Sequence, residues 1–100
     1  MATYILLTRI SPESMGSPKK LMKLEQEVQS SIKKHCPQVK WISNYAVLGP
    51  YDYLDVFEAP DDVTAIKVVT IIRSFGHATT ETWGAIPWEQ FKTTLDELAK

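Results

Sequence analysis

The centre of the chain constrains the fold most, because it predicts two strands joined by a tight turn. The runs Gln38 to Gly49 and Tyr51 to Ala59 are rich in aromatic and β-branched residues and alternate in character along the chain. Gly49 and Pro50 suit the turn between them, since glycine tolerates unusual backbone dihedrals and proline fixes the next φ. We therefore expect an antiparallel hairpin made of strands two and three.

A strand and a helix precede this hairpin. The run Thr3 to Ile10 is β-branched and aromatic and predicts strand one. Ser17 suits a helix N-cap, and Pro18 suits the first helical position. From Lys19 to His35 the apolar residues recur at steps of three and four, which places them on one face of a helix. These apolar residues are Leu21, Leu24, Val28 and Ile32.

A helix and a strand follow the hairpin. Residues 60–76 are dominated by β-branched side chains, whose propensity favours a strand. However, Asp61 and Asp62 suit a helix N-terminus, Gly76 suits a helix end, and the segment is long for a strand, so we predict a helix. The segment His77 to Ile86 alternates and predicts strand four. Pro87 then opens a last helix, with an apolar stripe of Trp88, Phe91, Leu95 and Leu98.

The order β-α-β-β-α-β with an extra C-terminal helix predicts an α+β, ferredoxin-like fold with an antiparallel four-stranded sheet. At 100 residues the chain has room for one domain, residues 1–100. Both main helices would cover one face of the sheet. We assign the aromatic side chains of strands two and three to the other face, where they would form an apolar patch that monomers rarely expose. The predicted homodimer interface comprises Trp41, Tyr45, Tyr53, Asp55 and Phe57.

Composition argues against several classes of function. The formal net charge is -1 and no positive cluster is present, so a nucleic acid partner is not expected. No apolar run approaches the roughly 20 residues that span a bilayer, and the N-terminus lacks the features of a signal peptide, so we expect a cytoplasmic protein with no membrane partner. The single cysteine, Cys36, suits a reducing compartment. No phosphate loop, nucleophile elbow or zinc motif occurs, so neither a cofactor nor a metal is expected.

Two segments resemble a known family. Gly49, Tyr51 and Asp52, followed by the acidic stretch EAPDD, are similar to the Gly-x-Tyr-Asp signature of the GYD-domain proteins, a bacterial family of about this whole length. The segment GHATTETWGAI resembles that family's fourth strand, although some relatives carry Asn and Arg at the positions of His77 and Thr79. The resemblance implies a dimeric α/β-barrel fold and no assigned activity.

Five residues are candidates for a ligand site: Tyr51, Asp52, His77, Glu81 and Trp83. A Tyr-Asp pair can polarise a small ligand or move a proton. Against this, a carboxylate beside a hairpin turn commonly accepts backbone N–H groups and fixes the turn, which is the reading we favour for Asp52. His77 and Glu81 are about 13 Å apart in an extended strand, too far to share a metal ion. Asp55 within an interface would need a partner, or its pKa would rise.

These observations favour a homo-oligomeric module, a dimer or larger, that binds a small molecule or serves in assembly. The alternative is a cofactor-independent oxygenase or isomerase that acts on a small organic substrate in the cleft between sheet and helices, an analogy that rests on fold alone. An enzyme would hold an abnormally titrating carboxylate or histidine in a pocket, whereas an assembly module would bury a large sheet face.

Overall fold

A computed structural model describes all 100 residues of the chain. The predicted order of strands and helices is confirmed, with one short helical turn, α1, in the stretch after strand one that carried no predicted element. The elements are β1 (Ala2–Ile10), α1 (Pro12–Met15), α2 (Pro18–His35), β2 (Lys40–Ala46), β3 (Tyr53–Ala59), α3 (Asp62–Ser74), β4 (Ala78–Ala85) and α4 (Trp88–Leu98).

The four strands form one antiparallel sheet in the order β2-β3-β1-β4. α2 and α3 pack on the same side of it, since Val28 and Ile32 of α2 join Val68 and Ile72 of α3 in one buried cluster with β1 and β3. We call this side the covered face. The arrangement is the α+β, ferredoxin-like fold that the sequence predicts.

α3 is a helix despite its β-branched composition. The Asp61 carboxylate accepts hydrogen bonds from the backbone N–H and the hydroxyl of Thr64, both at 2.8 Å, and so caps the first turn. Ala65, Val68 and Ile72 are spaced three and four apart and are buried against the sheet. The cap and this burial together outweigh the low helix propensity of the β-branched residues, which costs only about 0.5 kcal/mol per residue relative to alanine.

The assignment of the aromatic face is wrong. Phe57 has 0% of its surface exposed and stacks on Tyr4, with Trp41 on its other side, each ring centroid 5.3 Å away. Tyr53 and Asp55 alternate with Phe57 along β3 and therefore point to the same covered face. The sequence prediction puts these aromatic residues outside, whereas a small sheet needs its largest side chains to fill the space beneath two helices.

A β-bulge separates Trp41 and Tyr45, the other two aromatic residues of the predicted interface. Trp41 pairs with Phe57 but Ser43 pairs with Val56, so Ile42 is an extra residue in β2. The extra residue reverses the alternation, which places Trp41 on the covered face and Tyr45 on the opposite one. Of the five residues predicted for the interface, Tyr45 alone lies on the uncovered side.

The uncovered side, which we call the open face, carries mainly apolar residues. The register aligns Ile5 of β1 with Val56 on one side and Trp83 on the other, and it aligns Leu7 with Leu54. No helix of the chain packs on this face. The open face comprises Ile5, Leu7, Tyr45, Leu54, Val56 and Trp83.

α4 lies away from the rest of the molecule and has no buried residue. The radius of gyration is 15.4 Å, against about 13 Å for a compact domain of this length, and the longest dimension is 55 Å. No helix combines the length and the apolar character that crossing a membrane requires.

Candidate functional site

The Gly-x-Tyr-Asp segment closes one end of the sheet, where β3 begins and β1 ends. The Asp52 carboxylate accepts a hydrogen bond from the backbone N–H of Ile10 at 2.8 Å, and the N–H of Asp52 donates to the carbonyl of Thr8 at 2.9 Å. Gly49 has a φ of 108°, a conformation that glycine adopts without strain. Asp52 thus holds the loop against β1 through backbone groups.

Tyr51 and Glu81 are brought together although they are thirty positions apart in the sequence. The Tyr51 hydroxyl donates to the Glu81 carboxylate, while the Arg9 guanidinium lies 5.4 Å from the centre of the tyrosine ring and its Nε donates to the carbonyl of Pro50 at 2.7 Å. The hydrogen bond to Glu81 raises the pKa of Tyr51. Hydrogen bonds from Tyr51 and then Trp83 hold the pKa of Glu81 below its usual range.

Of the five candidate ligand residues, Tyr51, Glu81 and Trp83 form one exposed group at the edge of the open face. His77 does not join them. It is only 4% exposed, and its Nε2 lies 3.1 Å from the carboxylate of Glu25, a residue of α2 on the covered side. Its Nδ1 has no hydrogen-bond partner. The candidates therefore belong to two different regions.

A second polar region lies between α2 and the covered face, and we call it the polar cleft. It contains the half-buried Asp55, whose Oδ1 accepts a hydrogen bond from Asn44 at 2.8 Å. Burial raises the pKa of Asp55, the Asn44 hydrogen bond opposes the rise, and the charge of Glu25 adds to it. Burial and the neighbouring carboxylates also raise the pKa of Tyr53. The polar cleft comprises Glu25, Asn44, Tyr53, Asp55 and His77.

Sequence reasoning missed Glu25 and Asn44. Glu25 is not among the candidate residues of the sequence analysis, yet it lies four residues after Leu21 and three before Val28. This spacing places Glu25 beside the apolar stripe of α2, so its position was a usable signal. Asn44 had no such signal, because its side chain meets Asp55 only through the register of β2 and β3.

The polar cleft can hold a proton or accept hydrogen bonds from a ligand, but it does not form a metal site. No group of three or more His, Cys, Asp and Glu side chains is placed to hold an ion. The charge of the neighbouring Glu25 instead disfavours the ionisation of Asp55 and so adds to the rise in the Asp55 pKa.

Because the pKa of Asp55 is raised in the folded protein, ionisation of Asp55 is expected to lower the free energy of unfolding as the pH rises. The folded protein holds the Asp55 proton more tightly than the unfolded chain, so stability from this site is greatest below the unfolded pKa of about 3.9 and is lost as pH rises through the folded pKa. We expect Asp55→Asn, which can still accept the Asn44 hydrogen bond, to raise Tm by a few degrees near neutral pH. The gain should vanish as the pH falls to about 4.

Thermal unfolding followed by circular dichroism at several pH values measures this difference. Asp96→Asn on α4 makes the same chemical change at an exposed position and should leave Tm unaltered at every pH. A lower Tm for Asp55→Asn at neutral pH would show that ionised Asp55 stabilises the fold.

Comparison with known proteins agrees with the fold and shows the family. The sequence model of the GYD-domain family matches residues 4–95 of this chain. A Thermus thermophilus protein named "Glutamine synthetase and cystathionine beta-lyase binding protein" is 31% identical over 91 residues, covering 87% of this chain and 90% of that protein.

Solved structures show the same fold. The crystal structure of TTHA0845 from Thermus thermophilus is 27% identical, with a TM-score of 0.58 over 87% of this chain and 95% of the other. A de novo designed protein with a ferredoxin fold matches in fold alone, at 10% identity, with a TM-score of 0.52 over 86% of this chain and 85% of that one. With the family model spanning residues 4–95 and a relative 31% identical over most of both chains, this chain belongs to the GYD-domain family.

Proposed function

We propose that this protein is a self-assembling module that binds other proteins, and that its open face packs against the open face of a second copy to form a homodimer of the dimeric α/β-barrel type. The observation that carries the proposal is the apolar, uncovered character of the open face. Tyr45 and Trp83 have 57% and 48% of their surfaces exposed, and Ile5, Leu54 and Val56 lie between them. Contiguous apolar patches of this kind mark interaction sites.

A second copy suits this face for two reasons. A sheet that is apolar on both sides needs a layer on each, and sheets pack face to face about 10 Å apart. The charged residues at the margin of the open face also include both signs. Arg9 and Glu81 lie at one end, and Lys40 lies opposite Glu58 in the register of β2 and β3 at the other. Margins of mixed sign can complement themselves across a two-fold axis.

A protein partner is supported by the relative from Thermus thermophilus, which is named as a binding protein for glutamine synthetase and cystathionine beta-lyase. We extend this to the present chain: the dimer binds the glutamine synthetase and the cystathionine β-lyase of its own host. Tyr51 and Glu81, which lie at the edge of the open face and not within it, supply aromatic and polar contacts suited to such an interface.

Biolayer interferometry with the two purified host enzymes tests this partner choice. We expect saturable binding to each enzyme, weakened at least tenfold by Tyr51→Ala, because truncating an aromatic hot-spot residue of an interface commonly costs about 2 kcal/mol or more. Ile42→Ala, which truncates an exposed side chain outside this edge group, is the control. Absence of binding to both enzymes at micromolar concentration would contradict the choice.

The polar cleft favours a second candidate function, the binding of a small organic molecule, with a cofactor-independent oxygenase or isomerase as its catalytic form. Its support is the unpaired Nδ1 of buried His77 together with the raised pKa of Asp55, since perturbed titratable groups often mark functional sites. Native mass spectrometry of protein purified from its own host separates the two candidates. An excess mass on the oligomer would support a ligand, and a bare oligomer would favour the assembly function.

A further inference from the structure

A groove lies between α3 and β4 on the covered side of the sheet. Its volume is about 450 Å³, within the range of roughly 300–1,000 Å³ that is typical of small-molecule sites. Thr82 and Gly84 of β4 belong to the covered face, because they lie opposite the buried Leu6 and Tyr4 of β1. We call this cavity the α3 groove. Its lining includes Asp62, Ala65, Val69, Arg73, Thr82 and Gly84.

The α3 groove has one acidic end and one basic end. Asp62 lies in the first turn of α3 and Arg73 in its last turn, about 17 Å apart along the helix axis. Arg73 has no ion-pair partner in the chain, and the Asp62 carboxylate accepts one hydrogen bond, from the Tyr4 hydroxyl. A ligand that reaches both ends would therefore place a positive group beside Asp62 and a negative group beside Arg73.

The hydroxyl of Thr82 is the observation that points to a ligand. Acidic first turns and basic last turns suit the helix dipole, so the two charges alone would not indicate a site. The Oγ1 atom of Thr82, however, is buried in the floor of the α3 groove and has no hydrogen-bond partner. Buried polar groups in folded proteins nearly always have one. A polar atom of a ligand that lies along the groove would supply this partner between the two charged ends.

Gly84 keeps the floor of the α3 groove free of a side chain. Only Gly49 and Gly76 have a positive φ, so the backbone does not require a glycine at position 84. A Cβ atom there would meet no other atom within 4 Å, and it would point to the covered face as Thr82 does. Glycine weakens a strand, and within one it often marks a place where a ligand approaches closely. The position of Gly84 therefore agrees with that of the Thr82 hydroxyl.

The wall between the two charged ends is apolar and is supplied by Ala65, Ile66 and Val69 of α3. We propose that the α3 groove binds a short linear zwitterion, such as a tripeptide with free termini, with its ammonium group beside Asp62 and its carboxylate on Arg73. An extended tripeptide spans about 10–11 Å. Side chains on a helix lean toward its N-terminus, so the Arg73 side chain extends back toward Asp62 and shortens the distance between the charges. An amide near the middle of the peptide then pairs with the Thr82 hydroxyl. This site is separate from the open face and from the polar cleft.

Titration of isotope-labelled protein with trialanine, followed by the NMR shifts of its backbone amides, tests the site. We expect saturable shifts at the residues that line the α3 groove, with a dissociation constant on the order of 1 mM or below. N-acetyl-trialanine amide, which lacks both terminal charges, is the matched control ligand and should bind at least about tenfold more weakly. Equal binding of the two peptides would overturn the zwitterion. Shifts confined to the open face or the polar cleft would overturn the groove, and no shift with about 10 mM trialanine would overturn the proposal as a whole.

Gly84→Leu tests the groove itself. The new side chain has open space at its Cβ and suits a strand better than glycine, so the protein should keep at least its wild-type Tm while trialanine binding falls about tenfold or more. Arg73→Gln should weaken binding to a similar extent. Lys67→Gln removes a positive charge from the same helix, at a residue that lines a different cavity, and should leave binding unchanged.

Two results with these variants would contradict the site. One is undiminished trialanine binding in a folded Gly84→Leu protein, and the other is equal weakening by Arg73→Gln and Lys67→Gln. Val56→Asp, on the open face, should bind trialanine as the wild type does. Failure of the homodimer and failure of the α3 groove are therefore distinguishable.

Discussion

Phe57→Ala is expected to lower the free energy of unfolding by about 3–5 kcal/mol, since it removes a fully buried aromatic side chain and leaves a cavity. Phe57 lies beneath both helices and contacts the rings of Tyr4 and Trp41, so its loss affects the centre of the core. The total stability of a small domain is about 5–15 kcal/mol, and this one substitution removes a large share of it.

Urea denaturation followed by circular dichroism measures the loss. Tyr45→Ala removes an aromatic ring from the same sheet at a position 57% exposed, and its effect on unfolding of the monomer should be small. If Phe57→Ala does not fold, Phe57→Leu retains most of the volume and should still unfold at lower urea than the wild type. A Phe57→Ala protein of wild-type stability that loses only its oligomeric state would return Phe57 to the interface predicted from the sequence.

The order of elements was predictable because local signals agreed with one another. Pro18 at the start of α2 and the Gly49-Pro50 turn each mark a boundary by a backbone restriction that acts within a few residues. Even α3, where propensity favoured a strand, was marked by Asp61, whose side chain caps the helix as expected. Signals that act within a few residues can be recognised in a single sequence without an alignment.

The choice of face was not predictable in the same way. Alternation shows which residues share a side, but it does not show which side the helices cover. A single extra residue, Ile42, reversed the pattern between Trp41 and Tyr45, and the sequence contains no glycine there to mark a bulge. The sequence therefore predicts one outer face for the aromatic residues of β2 and β3, whereas the structure divides them between the covered face and the open face.

The candidate site was predictable only in part for a related reason. The reading of Asp52 as a residue that fixes the turn needed only local geometry, and the structure places its carboxylate on a backbone N–H. The bond between Tyr51 and Glu81 and the approach of Glu25 to His77 join residues far apart in the sequence. Such pairs depend on register and on how α2 lies across the sheet.

Val56→Asp is expected to convert the proposed homodimer into a monomer. Val56 lies near the middle of the open face, between Ile5 on β1 and Ser43 on β2. In an interface between identical faces, the new carboxylates of the two copies would be desolvated close to the two-fold axis. A penalty of about 3 kcal/mol would weaken the dimer roughly a hundredfold.

Sedimentation velocity near neutral pH measures the change, with the wild type expected at twice the chain mass of 11.3 kDa or at a multiple of that dimer. Met22→Asp, at an exposed position on α2, introduces the same charge away from the open face and should leave assembly unaltered. Because a protonated carboxylic acid is far less costly to bury, the variant should regain the dimer as the pH falls towards about 4. A Val56→Asp protein that stays dimeric at neutral pH would place the interface elsewhere. The apolar residues of the open face would then be free to contact the partner enzymes directly.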